Sequence, residues 1–215
     1  MKRSLSLAAL SVLASSAFAF TFSDIHFWVG QGENEAALVI DWNDGIEPQS
    51  LAWGYRWDGE ATGEDMVFAV MQADPRLFGK VAQTSFGEVL NGIGYDLDSD
   101  GFSLSDGSQF VDGIAFTSDP TDGATAVDSD DHYQEGWFNA FWGYWNSDNG
   151  TDWTESGVGM ADRDLVDGTW DGFSFAPGFN GSEPDTPVAA VPEPATLALF
   201  GLGLAALAKR RRRVH

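Results

Sequence analysis

Three aspartates occupy alternate positions in one short acidic segment of this chain. They are Asp96, Asp98 and Asp100, and Gly101 follows the last of them. Calcium prefers oxygen ligands, and an alternating aspartate loop that ends in glycine wraps its carboxylates around one ion. The segment therefore predicts a calcium site with Asp96, Asp98 and Asp100 as ligands.

The far end of this segment departs from an EF-hand loop. The twelfth position counted from Asp96 should carry a bidentate Glu, but Gly107 stands there and no helical pattern flanks the loop. A solvated acidic turn is therefore the alternative interpretation. A second acidic cluster, formed by Asp128, Asp130 and Asp131, lacks the glycine pattern and is interpreted as a solvated loop.

Side chains suited to catalysis are scarce in this sequence. The chain has no Cys and only three His. His132 follows several carboxylates, which is typical of a surface charge partner, and a His132–Asp pair for acid–base chemistry is the alternative. The motifs of serine hydrolases, zinc proteases and phosphate-binding loops are missing from it. We therefore expect a structural or binding role rather than catalysis. Because the chain has many acidic residues, a secreted polysaccharide hydrolase with paired carboxylates stays open as the alternative.

Aromatic residues are the other candidates for ligand contact. The chain has 16 Phe, 9 Trp and 4 Tyr, and six of these rings lie within residues 137–145. A strand over these residues carries rings on both faces, which favours a central strand buried on both sides. The alternative is that some rings stack on sugars of a matrix polysaccharide, with Trp137, Trp142 and Trp145 as candidates.

The N-terminal residues have the pattern of a secretory signal peptide. Lys2 and Arg3 precede an apolar run over 5–13, and Ala17-Phe18-Ala19 forms a small-residue cleavage pattern. The apolar run is short for a bilayer span. We therefore assign residues 1–19 to a signal peptide with cleavage after Ala19.

The C-terminal residues 191–215 contain three features in a fixed order. Pro192, Glu193 and Pro194 form a Pro-Glu-Pro triplet, an uncharged apolar segment covers 197–208, and five basic residues follow at 209–213. This tail resembles the PEP-CTERM sorting signal of exported proteins in Gram-negative bacteria that produce exopolysaccharide. The 18 residues 191–208 are within the lower range for a transmembrane helix, and the basic cluster favours a cytoplasmic end.

The resemblance implies how the protein is processed. In that family the apolar segment is held in the inner membrane, and an exosortase-type membrane protease cuts near the triplet. The protein then passes from its anchored, periplasm-facing state to the cell surface or the extracellular matrix. Central motifs such as residues 40–45 and 53–59 resemble those of other exported proteins with this tail. This resemblance indicates a group of related proteins but implies no chemical activity.

The charge of the chain excludes one class of partner. The formal net charge is −22, and residues 20–190 contain 32 acidic and four basic side chains, which gives −28. Nucleic-acid binding requires a basic surface, so we expect none. A strongly acidic surface also attracts divalent cations.

The elements between the two ends are predicted to be mainly β. Eight Asp-Gly pairs mark tight turns, and Thr62 with Asp65 forms a capping box that predicts a helix over 63–73. We expect an antiparallel sandwich-like or α+β globular domain over 20–177 and a flexible linker over 178–190. Strands are predicted over 36–42, 51–57, 114–117, 137–145 and 170–175, with the first two forming a hairpin.

Overall fold

The computed structural model describes residues 19–85 and 87–192. The predicted signal peptide lies outside these residues except for Ala19. Of the predicted sorting segment, only Val191 and Pro192 are described, so Glu193, Pro194 and the predicted transmembrane segment lie outside. Among the described residues, no helix has the length and apolar character needed to cross a membrane.

Eleven strands and one α-helix build the described part of the chain. The helix, α1, covers Gly63–Ala73. The strands are β1 (Trp28–Gly30), β2 (Asn34–Asp41), β3 (Ser50–Trp57), β4 (Leu77–Thr84), β5 (Gly87–Tyr95), β6 (Ile114–Thr117), β7 (His132–Glu135), β8 (Ala140–Ser147), β9 (Thr154–Glu155), β10 (Trp170–Pro177) and β11 (Val188–Ala189).

The strands form two sheets. The main sheet has the order β1-β3-β2-β10-β8-β9, with β11 also paired to β3, and the second sheet has the order β6-β4-β5-β7. The mainly β prediction with one helix is confirmed. The antiparallel part of that prediction is corrected, because the main sheet is mixed. Strands β1 and β11 run parallel to β3, and β10 runs parallel to β2 but antiparallel to β8. Neighbouring hairpin strands pair antiparallel, whereas strands that arrive from distant parts of the chain are free to pair parallel.

The two sheets and the helix enclose the larger of two hydrophobic clusters in the described residues. Trp42 and Trp53 are fully buried in it, together with Met66 and Val70 of α1. The Trp42 indole Nε1 donates a hydrogen bond of 3.0 Å to the carbonyl of Ile93, which joins the main sheet to the second sheet. This bond satisfies the polar atom of a fully buried ring.

The helix begins and ends where the sequence predicts. Asp65 donates its backbone N–H to the Thr62 hydroxyl at 3.2 Å, and its carboxylate accepts the Thr62 backbone N–H at 2.8 Å. This capping box satisfies donors that the first turn leaves unpaired. The helix ends at Ala73, just before Asp74 and Pro75.

The segment predicted as a flexible linker differs from that prediction in its second half. Residues 178–183 are exposed, but Pro184, Pro187 and Ala190 are buried. Val188 and Ala189 form β11, which pairs with β3. The folded domain therefore extends beyond 177 to Ala190, because the unpaired edge of β3 offers hydrogen bonds and apolar contact that composition does not reveal.

Candidate metal centre

The end of one strand and the start of another bring two aspartates together. In the antiparallel pair of β5 and β7, the last register pair is Tyr95 with His132. Asp96 directly follows Tyr95, and Asp131 directly precedes His132. The two aspartates therefore lie opposite each other, one step beyond the paired part of the second sheet.

Three carboxylates converge at this point. Ligand oxygens of Asp96, Asp98 and Asp131 all lie within 4.8 Å of one another. Calcium–oxygen distances are about 2.3–2.6 Å, so oxygens on opposite sides of one ion lie roughly 5 Å apart. The spacing of the three carboxylates therefore fits the coordination shell of a single calcium ion.

A tight turn fixes Asp96 and Asp98 in the cluster. The two Asp96 oxygens accept the backbone N–H groups of Ser99 at 2.7 Å and Gly101 at 3.0 Å. Ser99 and Gly101 both have positive φ angles, 64° and 122°, so the chain curls around the Asp96 carboxylate. Gly101 suits this geometry because it has no Cβ to oppose a positive φ.

Asp131 carries a buried polar atom that has no hydrogen-bond partner. Its residue is 4% exposed, and its Oδ1 accepts the Leu97 N–H at 3.0 Å. Its Oδ2 is buried and has no hydrogen-bond partner. The pKa of Asp131 is raised to about 6, mainly by burial and also by the neighbouring carboxylates of Asp96, Asp128 and Asp98, while the Leu97 hydrogen bond lowers it. A bound cation would supply the missing partner and relieve this cost.

His132 anchors the backbone next to Asp131. It is fully buried and stacks on Trp42 with ring centroids 4.5 Å apart. Its Nδ1 lies 2.8 Å from the Asp44 carboxylate and its Nε2 lies 3.1 Å from the Pro48 carbonyl oxygen. The interpretation of His132 as a surface residue is therefore wrong, because its ring is stacked inside the fold, but the predicted pairing with a carboxylate is present in its contact with Asp44.

A cavity gives this side of the cluster access to solvent. Its volume is about 360 Å³, and Asp44, Asp128, Asp131 and Tyr133 line part of it. Three of these four side chains are acidic, so the approach to the Asp131 carboxylate is favourable for a cation.

The structure brings together two of the three predicted metal ligands. Asp96 and Asp98 belong to the converging group, whereas Asp100 is exposed and takes no part in it. The Asp98 charge raises the pKa of Asp100, which is typical of neighbouring carboxylates on a surface turn. The interpretation of Asp131 as part of a solvated loop is wrong, because β7 begins at the next residue and draws it inside.

The predicted sugar-stacking residues separate into two groups. Trp142 is 7% exposed, packs in the core and donates its Nε1 to the Gln134 carbonyl at 3.2 Å, so it is removed from the candidates. Trp137 and Trp145 are half-buried. On the same side of β8 as Trp145, Phe141 stacks on Phe179 with centroids 5.8 Å apart, and Phe179 is 55% exposed.

A second polar cluster lies under another cavity of about 330 Å³, which Asp106, Asp122 and Glu135 help to line. The buried Lys80 ammonium donates to Glu135 at 3.0 Å and to Asp106 at 2.7 Å. Burial opposes the charge of Lys80, but these two hydrogen bonds raise its pKa. Tyr133 donates to Glu135 at 2.6 Å. These carboxylates are therefore engaged in ion pairs and hydrogen bonds within the fold.

Comparison with known proteins identifies the tail. Residues 190–213 match the family model of the PEP-CTERM protein-sorting motif, which confirms the resemblance based on the Pro-Glu-Pro triplet. Comparisons with curated proteins and with solved structures give no match. The motif implies an exported protein that passes through the membrane and has an exosortase as its processing partner.

Proposed function

We propose that this chain is a calcium-binding β domain, sorted to the cell surface or the extracellular matrix, with a structural or glycan-binding role. Asp96, Asp98 and Asp131 hold the ion. The single observation that carries the cation site is the buried Asp131 Oδ2, which has no hydrogen-bond partner. Its position beside two further carboxylates supports a ligand role.

The proposed ion has a structural task. Asp96 and Asp98 belong to the turn that follows β5, and Asp131 precedes β7. An ion bound by all three joins segments that lie more than thirty residues apart in the chain. Metal bound only by the folded state stabilises that state, so calcium would set how firmly β7 stays on the second sheet.

The site of action follows from the sorting motif. The tail match supports delivery through an exosortase system. Secreted proteins meet calcium at concentrations that suit weak extracellular sites, with dissociation constants of about 10⁻⁴ to 10⁻³ M. Three carboxylate ligands from two chain segments are consistent with that range.

The proposed glycan contact lies on the outer face of β8. Phe141, Trp145 and the exposed Phe179 present rings there. Aromatic faces bind the apolar faces of sugar rings. The acidic domain favours neutral polysaccharide over anionic polymers.

Calcium titration tests the cation site directly. We expect one ion to bind the processed protein above pH 7 by isothermal titration calorimetry. Because the pKa of Asp131 is about 6 in the ion-free protein, calcium must displace a proton below that pH. The apparent affinity is therefore expected to fall by up to about tenfold per pH unit below 6.

Two asparagine variants provide the control for this titration. Asp131→Asn removes the proposed ligand charge and should abolish binding, whereas Asp130→Asn changes the exposed neighbour and should leave the affinity nearly unchanged. A pH-independent affinity, or equal binding by both variants, would contradict the site.

Glycan binding has its own matched pair of variants. We expect neutral polysaccharide to retard the protein in affinity electrophoresis, and Phe179→Ala to weaken this several-fold by removing a stacking ring. Phe116→Ala is the control, because Phe116 is 61% exposed and lies on β6 of the second sheet. Equal effects of both changes would contradict the binding face. Shortening of the polymer with time would instead favour the hydrolase.

A further inference from the structure

Both ends of the folded domain lie on one edge of the main sheet. Strand β2 pairs with one edge of β3 along its whole length, so other strands can pair only with the opposite edge. On that edge β1 pairs with residues 54–56 of β3, and β11 pairs with residues 51–52. Strands β1 and β11 therefore lie end to end along the same edge.

A groove separates the two terminal segments. It has a volume of about 410 Å³. One wall contains Ala19, Phe20 and His26 from the start of the domain, and the other contains Pro187, Val188 and Ala189 from its end. The position after the expected signal-peptide cleavage and the start of the sorting motif are therefore neighbours in space.

The domain holds its C-terminal exit firmly up to the sorting motif. Ala190 donates its backbone N–H to the Ala52 carbonyl at 2.9 Å, and Arg76 donates to the carbonyl of Val191. Arg76 is itself held by Asp74 at 3.6 Å and lies 4.8 Å from the Tyr95 ring centroid. The chain therefore leaves the folded body directly before Pro192.

Chain length then limits how far this edge lies from the membrane. The membrane span expected from the sequence starts at Val191 and its uncharged apolar part at Leu197, so at most the five steps from Pro192 to Leu197, about 18 Å, separate the domain from the hydrocarbon region. The headgroup region on each side of a bilayer is roughly 5–8 Å thick. With the apolar segment inserted, a domain about 30 Å or more across has little freedom to turn this edge away from the lipid.

We propose that the sheet edge formed by β1 and β11 is the membrane-facing surface of the precursor and rests against phospholipid headgroups until the tail is cut. This inference rests on the sorting role proposed above and names the orientation in which the exosortase meets its substrate. Val188 and Val191 are 49% and 50% exposed at this edge, so apolar side chains face the interface. The protease then works beside a folded domain, close to the bilayer surface.

Single cysteines offer a direct test, since the chain has no Cys of its own. Val188→Cys marks the proposed edge, and Val158→Cys marks the end of the sheet beyond β9, with matched exposures of 49% and 48%. The unprocessed full chain, labelled with a fluorophore, is placed in phospholipid vesicles that contain headgroup-nitroxide lipids. We expect quenching at position 188 to exceed that at position 158 several-fold.

The outcomes separate the two proposals. A chain that does not float with the vesicles overturns membrane anchoring itself, together with this orientation. A chain that floats but shows equal quenching at both positions overturns the orientation alone. The measurement is made with chelator present, so it does not depend on the calcium site.

Discussion

Calcium is expected to raise the melting temperature of the processed protein by about 5–10 °C when the free ion is at 100 times its dissociation constant. An ion bound only by the folded state at that ratio adds about 2.7 kcal/mol. Each kcal/mol corresponds to roughly 2–4 °C for a domain of this size. Thermal unfolding followed by circular dichroism, in calcium and in chelator, measures the difference.

The Asp131→Asn variant distinguishes the effect of the bound ion on stability from the effect of the Asp131 charge itself. In chelator this variant should melt higher than the wild type near pH 7, because the folded state raises the pKa of Asp131 to about 6 and so disfavours its charge. The folded protein holds this proton more tightly than the unfolded chain, so the contribution to stability falls as the pH rises from about 4 to 6. In calcium the wild type should melt at the higher temperature. Identical melting curves of the two proteins in both conditions would favour a solvated acidic turn over a calcium site.

Lys80→Met is expected to lower the free energy of unfolding by about 3–5 kcal/mol. Lys80 is 4% exposed and Glu135 is 8% exposed, and their charges lie 3.0 Å apart. Removing the ammonium leaves the Glu135 carboxylate buried with no opposite charge at that distance, which is a large penalty. Urea denaturation with a fluorescence readout measures the loss.

Two further variants control this measurement. Adding Glu135→Gln to Lys80→Met should recover part of the loss, because the buried charge is gone. Arg56→Met breaks the Arg56–Glu35 pair at 3.3 Å, where both side chains are more than a third exposed, and should cost about 1 kcal/mol or less. Equal losses for Lys80→Met and Arg56→Met would contradict a buried pair.

Local signals predicted part of the fold well. The helix over 63–73 has its cap and its stop within the sequence, at Thr62 and Pro75. The hairpin of β2 and β3 follows from an apolar run and an alternating run on either side of a turn. Such elements depend on neighbours in the chain, so a sequence pattern contains most of their determinants.

Strands β4 and β5 were not predicted, because glycines interrupt the apolar patterns of their sequences. At Gly92 and Gly94 the rings of Tyr133 and Phe102 occupy the space where a side chain would lie. At both glycines a ring from another segment packs against the backbone. The sequence of β5 itself therefore lacks, at these two positions, the apolar side chains that would mark it as a strand.

Two of the three carboxylates of the candidate site could be predicted from local sequence, and the third could not. Asp96 and Asp98 belong to one turn, and their spacing is visible in the sequence. Asp131 joins them only through the pairing of β5 with β7, and no local pattern marks that register. Asp100 shares the spacing of the first two, yet the turn points it to solvent.

The docking of β11 also sets when the domain can finish folding during export. The hairpin of β2 and β3 has short sequence separation and can form early, but residues 51–52 of β3 wait for a partner at residues 188–189. Contacts between such distant residues form late. Until residues 188–189 are available, this part of the sheet stays open, so the edge of β3 closes only after nearly the whole domain has been exported.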